Sequence, residues 1–267
     1  MSDVIIKQMT GHSGCKVFLC EKNNQKYVRK TSSCTEYNDR LQQQMNKQAS
    51  FRDSVLKVPK IYGTGFEAGK FYFDMEFIKG VTFSNFVSTN SPNNTLSIFE
   101  KIIAYLDRQG HHKADVSDAI EKKIESLTQC LEADYTKYFN YCLAFDWKKI
   151  STSICHGDLT FENIIVHKSD IYLIDFLDSF IESKYVDYSK LLQDIILTWS
   201  WRNNASPPII KCMLLYNNLC ENLSDVEIEM TKRLLVLNIL RIIPYADENR
   251  LEYLKDRLLY LEAKFKI

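Results

Sequence analysis

Between Val4 and Met75 apolar residues alternate with polar ones in short runs, and beyond Gly80 the rhythm lengthens to that of helices. The runs VIIKQM, KVFLCE and KYVRKT are separated by GHSG and KNNQ, both rich in turn-forming residues, and predict a small antiparallel sheet. Residues 35–49 contain no Gly or Pro and carry Tyr37, Leu41 and Met45 at i, i+4 and i+8, which predicts a helix with one apolar stripe. YGTGFEAGK then reads as a turn, and FYFDMEFI reads as an apolar strand that ends at Lys79-Gly80. Helical patterns follow over 95–108, 116–143, 187–202, 208–221, 224–242 and 247–264, broken by Pro92, Gly110, Pro207-Pro208 and Pro244. The exception is residues 153–176, where ICHGDL, NIIVHK and IYLIDF read as short strands around a polar loop. The expectation is an α+β chain of two lobes, a sheet-rich 1–79 and a mostly helical 80–267.

Composition narrows the choice by exclusion. Hydrophobic residues make up 45% and charged residues 25% of the 267, an ordinary globular balance. Lys plus Arg equals Asp plus Glu at 34 each, so no global field favours nucleic acid or an anionic membrane. No stretch approaches a membrane span and the first residues lack a signal-peptide pattern, so a cytoplasmic protein with no obligate protein partner is expected. The eight cysteines show no CxxC or Cys/His ligand spacing and are expected as reduced, mostly buried thiols.

The candidate chemistry lies in HGDLTFENIIV, residues 156–166, and in LIDF, which carries Asp175. Phosphoryl transfer needs a carboxylate to orient the attacking hydroxyl and take its proton, and oxygen ligands to hold Mg²⁺ against the phosphates. Asp158 and Asn163 stand five apart on one loop, and Asp175 follows on the next strand, the spacing H-x-D-x-x-x-x-N with a later Asp-Phe pair. The segment resembles the aminoglycoside phosphotransferase and choline kinase family, which has a protein-kinase-like fold and carries Gly where protein kinases carry Arg. His156-Gly157-Asp158, Asn163 and Ile174-Asp175-Phe176 carry the resemblance. It implies that Asp158 is the catalytic base, that Asn163 and Asp175 are ligands of Mg²⁺, that ATP is the donor, and that His156 braces the loop.

Other positions fall into place on that pattern. Gly11, Ser13 and Gly14, between the first two strands, are where a phosphate-covering loop belongs. Lys30 closes the third strand with Val28 on the same face, as expected of a phosphate-binding lysine and a residue covering adenine; alternation sends Arg29 to the other face. The partner of Lys30 is expected to be an acid on the following helix. Glu36 is the candidate, although the family places this acid deeper, where this chain has Gln43, Gln44 and Asn46. Met75, Glu76 and Ile78 resemble the segment joining the lobes, with the backbone C=O of Glu76 and N–H of Ile78 on the adenine edge. Asp187 resembles the structural acid that caps the next helix and supports the catalytic loop. Asp178 and Glu182 belong to an acid-rich stretch with Asp175, Asp187 and Asp194 that suits the hydroxyls or an amine of a substrate.

Eleven residues separate Asp175 from Asp187, with no A-P-E anchor and Leu177 in place of the DFG glycine. That leaves no platform for an extended peptide, so a small hydroxyl compound is the expected acceptor. The likeness of LDSFIES and DYSKLLQD to phosphotransferases of bacterial surface-sugar synthesis favours a sugar or sugar-like alcohol, alongside amino alcohols and aminoglycosides. Trp199 and Trp201 are read as helix core in preference to a cage for a quaternary amine. The alternatives at this stage are a nucleotide-binding pseudokinase or scaffold and an atypical Ser/Thr protein kinase.

Overall fold

The computed structural model describes residues 4–9, 15–110, 112–203 and 206–267. In chain order the elements are β1 (Val4–Met9), β2 (Cys15–Lys22), β3 (Gln25–Ser32), α1 (Asn38–Ser50), β4 (Leu56–Lys57), β5 (Ile61–Glu67), β6 (Lys70–Glu76), β7 (Val81–Thr82) and α2 (Phe83–Thr89). There follow α3 (Pro92–Asp107), β8 (His112–Ala114), α4 (Ser117–Thr128), α5 (Thr136–Leu143), β9 (Ile150–Thr152), β10 (Ile164–His167) and β11 (Asp170–Leu173). The chain ends with α6 (Lys184–Leu197), α7 (Ile209–Glu221), α8 (Asp225–Leu240) and α9 (Glu248–Phe265). They divide into two compact units, one of Met1–Phe86 with Glu162–Asp178 and one of Val87–Phe161 with Ser179–Ile267.

In the first unit an antiparallel sheet runs in the order β1-β2-β3-β6-β5. Cys15, Val28, Leu41, Phe71, Phe73 and Met75 form its core beneath α1. YGTGFEAGK is not a turn throughout: β5 runs through Gly63 and Gly65, and only Ala68-Gly69 turns. Both glycines lie on an edge strand, and at Gly65 Tyr72 packs so close that a Cβ would come within 2.8 Å of its hydroxyl. The inner face of α1 also departs from its apolar stripe. Leu41, Gln44 and Gln48 are its buried residues, while Tyr37 and Met45 are only partly covered. A second sheet, β4-β11-β10-β7, contains the hairpin of β10 and β11.

The second unit is helical apart from the pair β8-β9. The helix expected over 116–143 is two, α4 and α5, because Thr128, Cys130, Asp134 and Thr136 put poor helix formers at the junction. α6 is buried along nearly its whole length and packs on α8, from which Asn238 Nδ2 donates a buried bond to Ser189 Oγ of α6 (2.8 Å). Ser224 and Glu227 form a capping box that starts α8. Trp199 and Trp201 are buried, with the Trp201 ring edge-on to Phe161 and its Nε1 donating to Ser88, so both indoles are core. ICHGDL is not a strand; its backbone hydrogen bonds go to side chains instead. The cysteines stand as thiols, with Cys15, Cys20, Cys142, Cys155 and Cys212 buried. Among the described residues no helix is long and apolar enough to cross a membrane.

Candidate functional site

Strand alternation sets the two faces of β3 in the first unit. Val28 and Lys30 lie on the buried face of β3, and Val28 pairs across the sheet with Met75. Arg29 lies on the other face in a two-pronged bond to Asp74 (2.7 and 2.8 Å), stacked on the Tyr72 ring at 4.2 Å. The Lys30 ammonium, 2% exposed, donates to Asp175 Oδ1 at 2.8 Å and to Gln44 Oε1 at 3.0 Å. Burial alone would lower the pKa of this lysine, but the Asp175 carboxylate outweighs burial and the net shift is upward.

Glu36 does not meet Lys30. It is exposed in a short 3₁₀ turn, Thr35–Tyr37, where bonds from its own backbone and from its Cys34 and Thr35 neighbours lower its pKa. Gln44, two turns into α1, takes the place expected of an acid, so a neutral amide stands where the sequence called for a charge. Only the position deeper in the helix signalled it.

Asp175 follows β11 in the left-handed region, φ +62°, which Asp tolerates better than most residues. The N–H of Ile174 donates to the backbone C=O of Asn163 at 3.0 Å, tying the residue before Asp175 to the loop that carries Asn163. The oxygens of Asn163 and Asp175 are hard donors of the kind Mg²⁺ accepts. Among the described residues no group of three or more His, Cys, Asp or Glu side chains could hold a metal. Such a donor set suits an ion held jointly with phosphates better than one caged by protein. Phe176 is buried against the Phe51 ring, and Leu177 C=O accepts from Lys47 Nζ.

At the end of β6 the N–H of Glu76 donates to Lys60 C=O, and beyond it the C=O of Ile78 accepts from Gly80 N–H, both at 2.9 Å. These bonds use the opposite backbone groups from those expected on an adenine edge. Gly11, Ser13 and Gly14 lie outside the described residues.

In the second unit α6 organises the loop His156–Phe161. Asp187, fully buried, accepts from His156 N–H (2.7 Å) and Gly157 N–H (2.8 Å). It is not the helix cap: α6 starts at Lys184 and Ser183 caps it, so Asp187 supports the loop from within the first turn. Gly157 has φ +85°, which any other L-residue would adopt only under strain. His156 is buried, and its Nδ1 accepts from Asp158 N–H at 3.3 Å, which requires the ring proton on Nε2. Asp158, 28% exposed, meets Lys190 Nζ through Oδ1 at 3.1 Å. Asp194, also buried, accepts from Phe161 N–H (2.6 Å) and Ser200 N–H (2.7 Å).

The acid-rich stretch is therefore no open acidic surface. Asp187 and Asp194 hold backbone, and Glu182 accepts from the N–H groups of Cys155 and Ser179 while its own C=O accepts from Ser153. Asp175 holds Lys30, and Asp178 is the exposed one. Sequence reading missed Gln44, Lys190 and Asp194. For the last two the signal was present as the i, i+3, i+7 spacing of DYSKLLQD, which puts three charges on one face of a helix.

The model of the phosphotransferase enzyme family matches residues 10–212. No curated protein matches the chain. Among solved structures the chain is similar to a thermostable mutant of aminoglycoside phosphotransferase APH(4)-Ia in its apo form, with TM-score 0.69 at 12% identity over 98% of this chain and 95% of that one. A ternary complex of a thermostable mutant of that enzyme with ADP and hygromycin B gives 0.62 at 12% identity, over 96% and 90%. ADP-bound aminoglycoside phosphotransferase APH(2'')-Ib gives 0.58 at 16% identity, over 96% and 93%. At such identities the likeness is one of fold, the protein-kinase-like α+β architecture expected from the sequence.

Proposed function

Because the chain belongs to the phosphotransferase enzyme family, we propose that it is an ATP- and Mg²⁺-dependent kinase of the cytoplasm that phosphorylates a hydroxyl of a small molecule. The acceptor class we assign is a sugar, amino alcohol or aminoglycoside-like compound, in keeping with the hygromycin B and ADP bound by one structural neighbour. Residues 1–79 serve as the nucleotide lobe and 80–267 as the catalytic and acceptor lobe.

Asp158 takes the acceptor's proton as the hydroxyl oxygen bonds to the γ-phosphorus and the bridging P–O bond breaks, releasing ADP. Asn163 and Asp175 hold the metal, which when bound neutralises charge on the phosphates. Lys30 turns from Asp175 to the α- and β-phosphates, Val28 and Met75 line the adenine, and the Glu76 and Ile78 backbone meets its edge. His156 and Asp187 keep the loop in shape. Asp178, as the exposed acid of its stretch, remains the stronger candidate for contact with substrate, and Glu182 acts as a brace.

The observation that carries this reading is the loop itself: a carboxylate at Asp158, partly exposed, on a backbone fixed by the buried Asp187. The test is ADP release from ATP and Mg²⁺ over a panel of sugars, amino alcohols and aminoglycosides. Stimulation of about tenfold or more by one class is expected, since acceptor binding aligns the attacking hydroxyl. Phosphorylation of proteins with no response to any small alcohol would overturn the reading.

A further inference from the structure

Lys190 has no part in the scheme above, yet it is among the most deeply buried charges in the second unit, with its side chain 11% exposed. Burying an ammonium costs several kcal/mol unless it is paired. Its partner is the Asp158 carboxylate, at 3.1 Å. On either side of it along the same helix face, Asp187 holds the backbone of His156 and Gly157, and Asp194 holds that of Phe161. One face of α6 thus grips the loop at its start, its middle and its end. The two outer contacts are to backbone, and the central one is to the side chain proposed to act on the substrate.

A backbone held at both ends does not set the side-chain rotamer of Asp158. The orientation of the carboxylate is given by χ1 and χ2, which side-chain contacts set, and a general base must stand within hydrogen-bond reach of the proton it takes. We infer that Lys190 is a positioning residue for phosphoryl transfer: by holding Oδ1 it fixes the orientation in which the Asp158 carboxylate meets the acceptor hydroxyl. This rests on the reading of Asp158 as the base. Lys190 exchanges no bond in the step. The acceptor's proton passes to Asp158, the new O–P bond forms as the bridging P–O bond breaks, and the ammonium keeps its own protons.

The role makes a graded series. Lys190→Met keeps the length and loses the donor, Lys190→Gln keeps a donor without charge, and Lys190→Arg keeps both donor and charge. With the best acceptor of the panel, or water as acceptor, K190M is expected to lower kcat by about 10- to 100-fold, the scale on which a misplaced catalytic group costs rate. KM for ATP and Kd for ADP should change by less than about threefold, because the nucleotide does not depend on the base's rotamer. K190Q should fall between K190M and wild type, and K190R should recover most of the rate.

A brace needed only for folding would lower Tm and ADP affinity together in all three variants, and that pattern overturns the inference. So does a K190M enzyme as fast as wild type beside an inactive Asp158→Asn. If Asp158→Asn is itself as fast as wild type, the assignment of the base fails and that of Lys190 fails with it.

Discussion

Lys30 and Lys190 are both buried lysines bound to a carboxylate proposed to work in the reaction, but their surroundings differ. Lys190 sits on a helix whose neighbouring acids, Asp187 and Asp194, each accept two backbone N–H bonds, so the loop it touches is pinned through its backbone on either side. Lys30 has Asp175 and one neutral amide, Gln44. An acid at position 44 would hold the ammonium by charge whether or not nucleotide was present. With an amide there, the cation's ionic partner among the described residues is Asp175, the residue proposed to turn to the metal. The first arrangement suits a part that must not move, and the second suits a charge that changes partners when phosphates arrive.

The comparison breaks most visibly at Asp187. Asp187→Ala leaves two buried N–H groups without their acceptor, at about 1–3 kcal/mol each, so a loss of about 2–5 kcal/mol in denaturant unfolding is expected. Asp194→Ala should cost less, about 1–3 kcal/mol, since Ser200 can turn its N–H toward water. On the other side Asp175→Asn should weaken ADP binding by about tenfold in Mg²⁺ and little in EDTA, as read by calorimetry. Equal weakening in both would remove Asp175 from the metal. Gln44→Leu is the mildest change to binding. It removes one neutral acceptor and should cost about 1 kcal/mol, with KM for ATP rising roughly two- to fivefold.

Acid should loosen the pinned side at its edge. Glu227 closes the α8 capping box and accepts from the Tyr185 hydroxyl at the start of α6. Partial burial raises its pKa, but the bonds from Tyr185 and Ser224 outweigh that and leave it lowered. Its contribution to stability is therefore present above the unfolded-state value, about 4.3, and is lost as pH falls through the lower folded value. Glu227→Gln should flatten the acid limb of a Tm-against-pH curve. An unchanged limb would show that this carboxylate is not linked to folding. Thiol labelling gives the smallest signal. Cys34 and Cys130 are exposed and should react first, whereas burial pushes the Cys142 and Cys212 thiols up to about 12 and keeps them inert until unfolding.

The loop was legible in the sequence because its chemistry fixes both residue type and spacing: His156, Gly157, Asp158 and Asn163 stand within eight positions. The sheet was legible from alternation, which also put Lys30 and Arg29 on opposite faces. What failed to show were contacts between distant positions. An amide at 44 does the work sought from an acid at 36, since hydrogen bonding to an ammonium needs an oxygen, not a charge. Gly65 read as part of a turn because the ring of Tyr72, which fills the space over it, comes from the next strand. Asp187 and Asp194, counted into an acidic patch along the chain, proved to be interior fasteners, because a count along the chain does not tell a buried helix face from a loop.

The central claim is that Asp158 does chemistry and does not bind nucleotide. Asp158→Asn, compared with wild type in ADP calorimetry and in ATP turnover with the best acceptor, tests it directly. Turnover is expected to fall by about a hundredfold or more, the usual worth of a general base, with ADP affinity within about threefold of wild type. Turnover at the wild-type rate, or a loss of ADP affinity as large as the loss of rate, would contradict it.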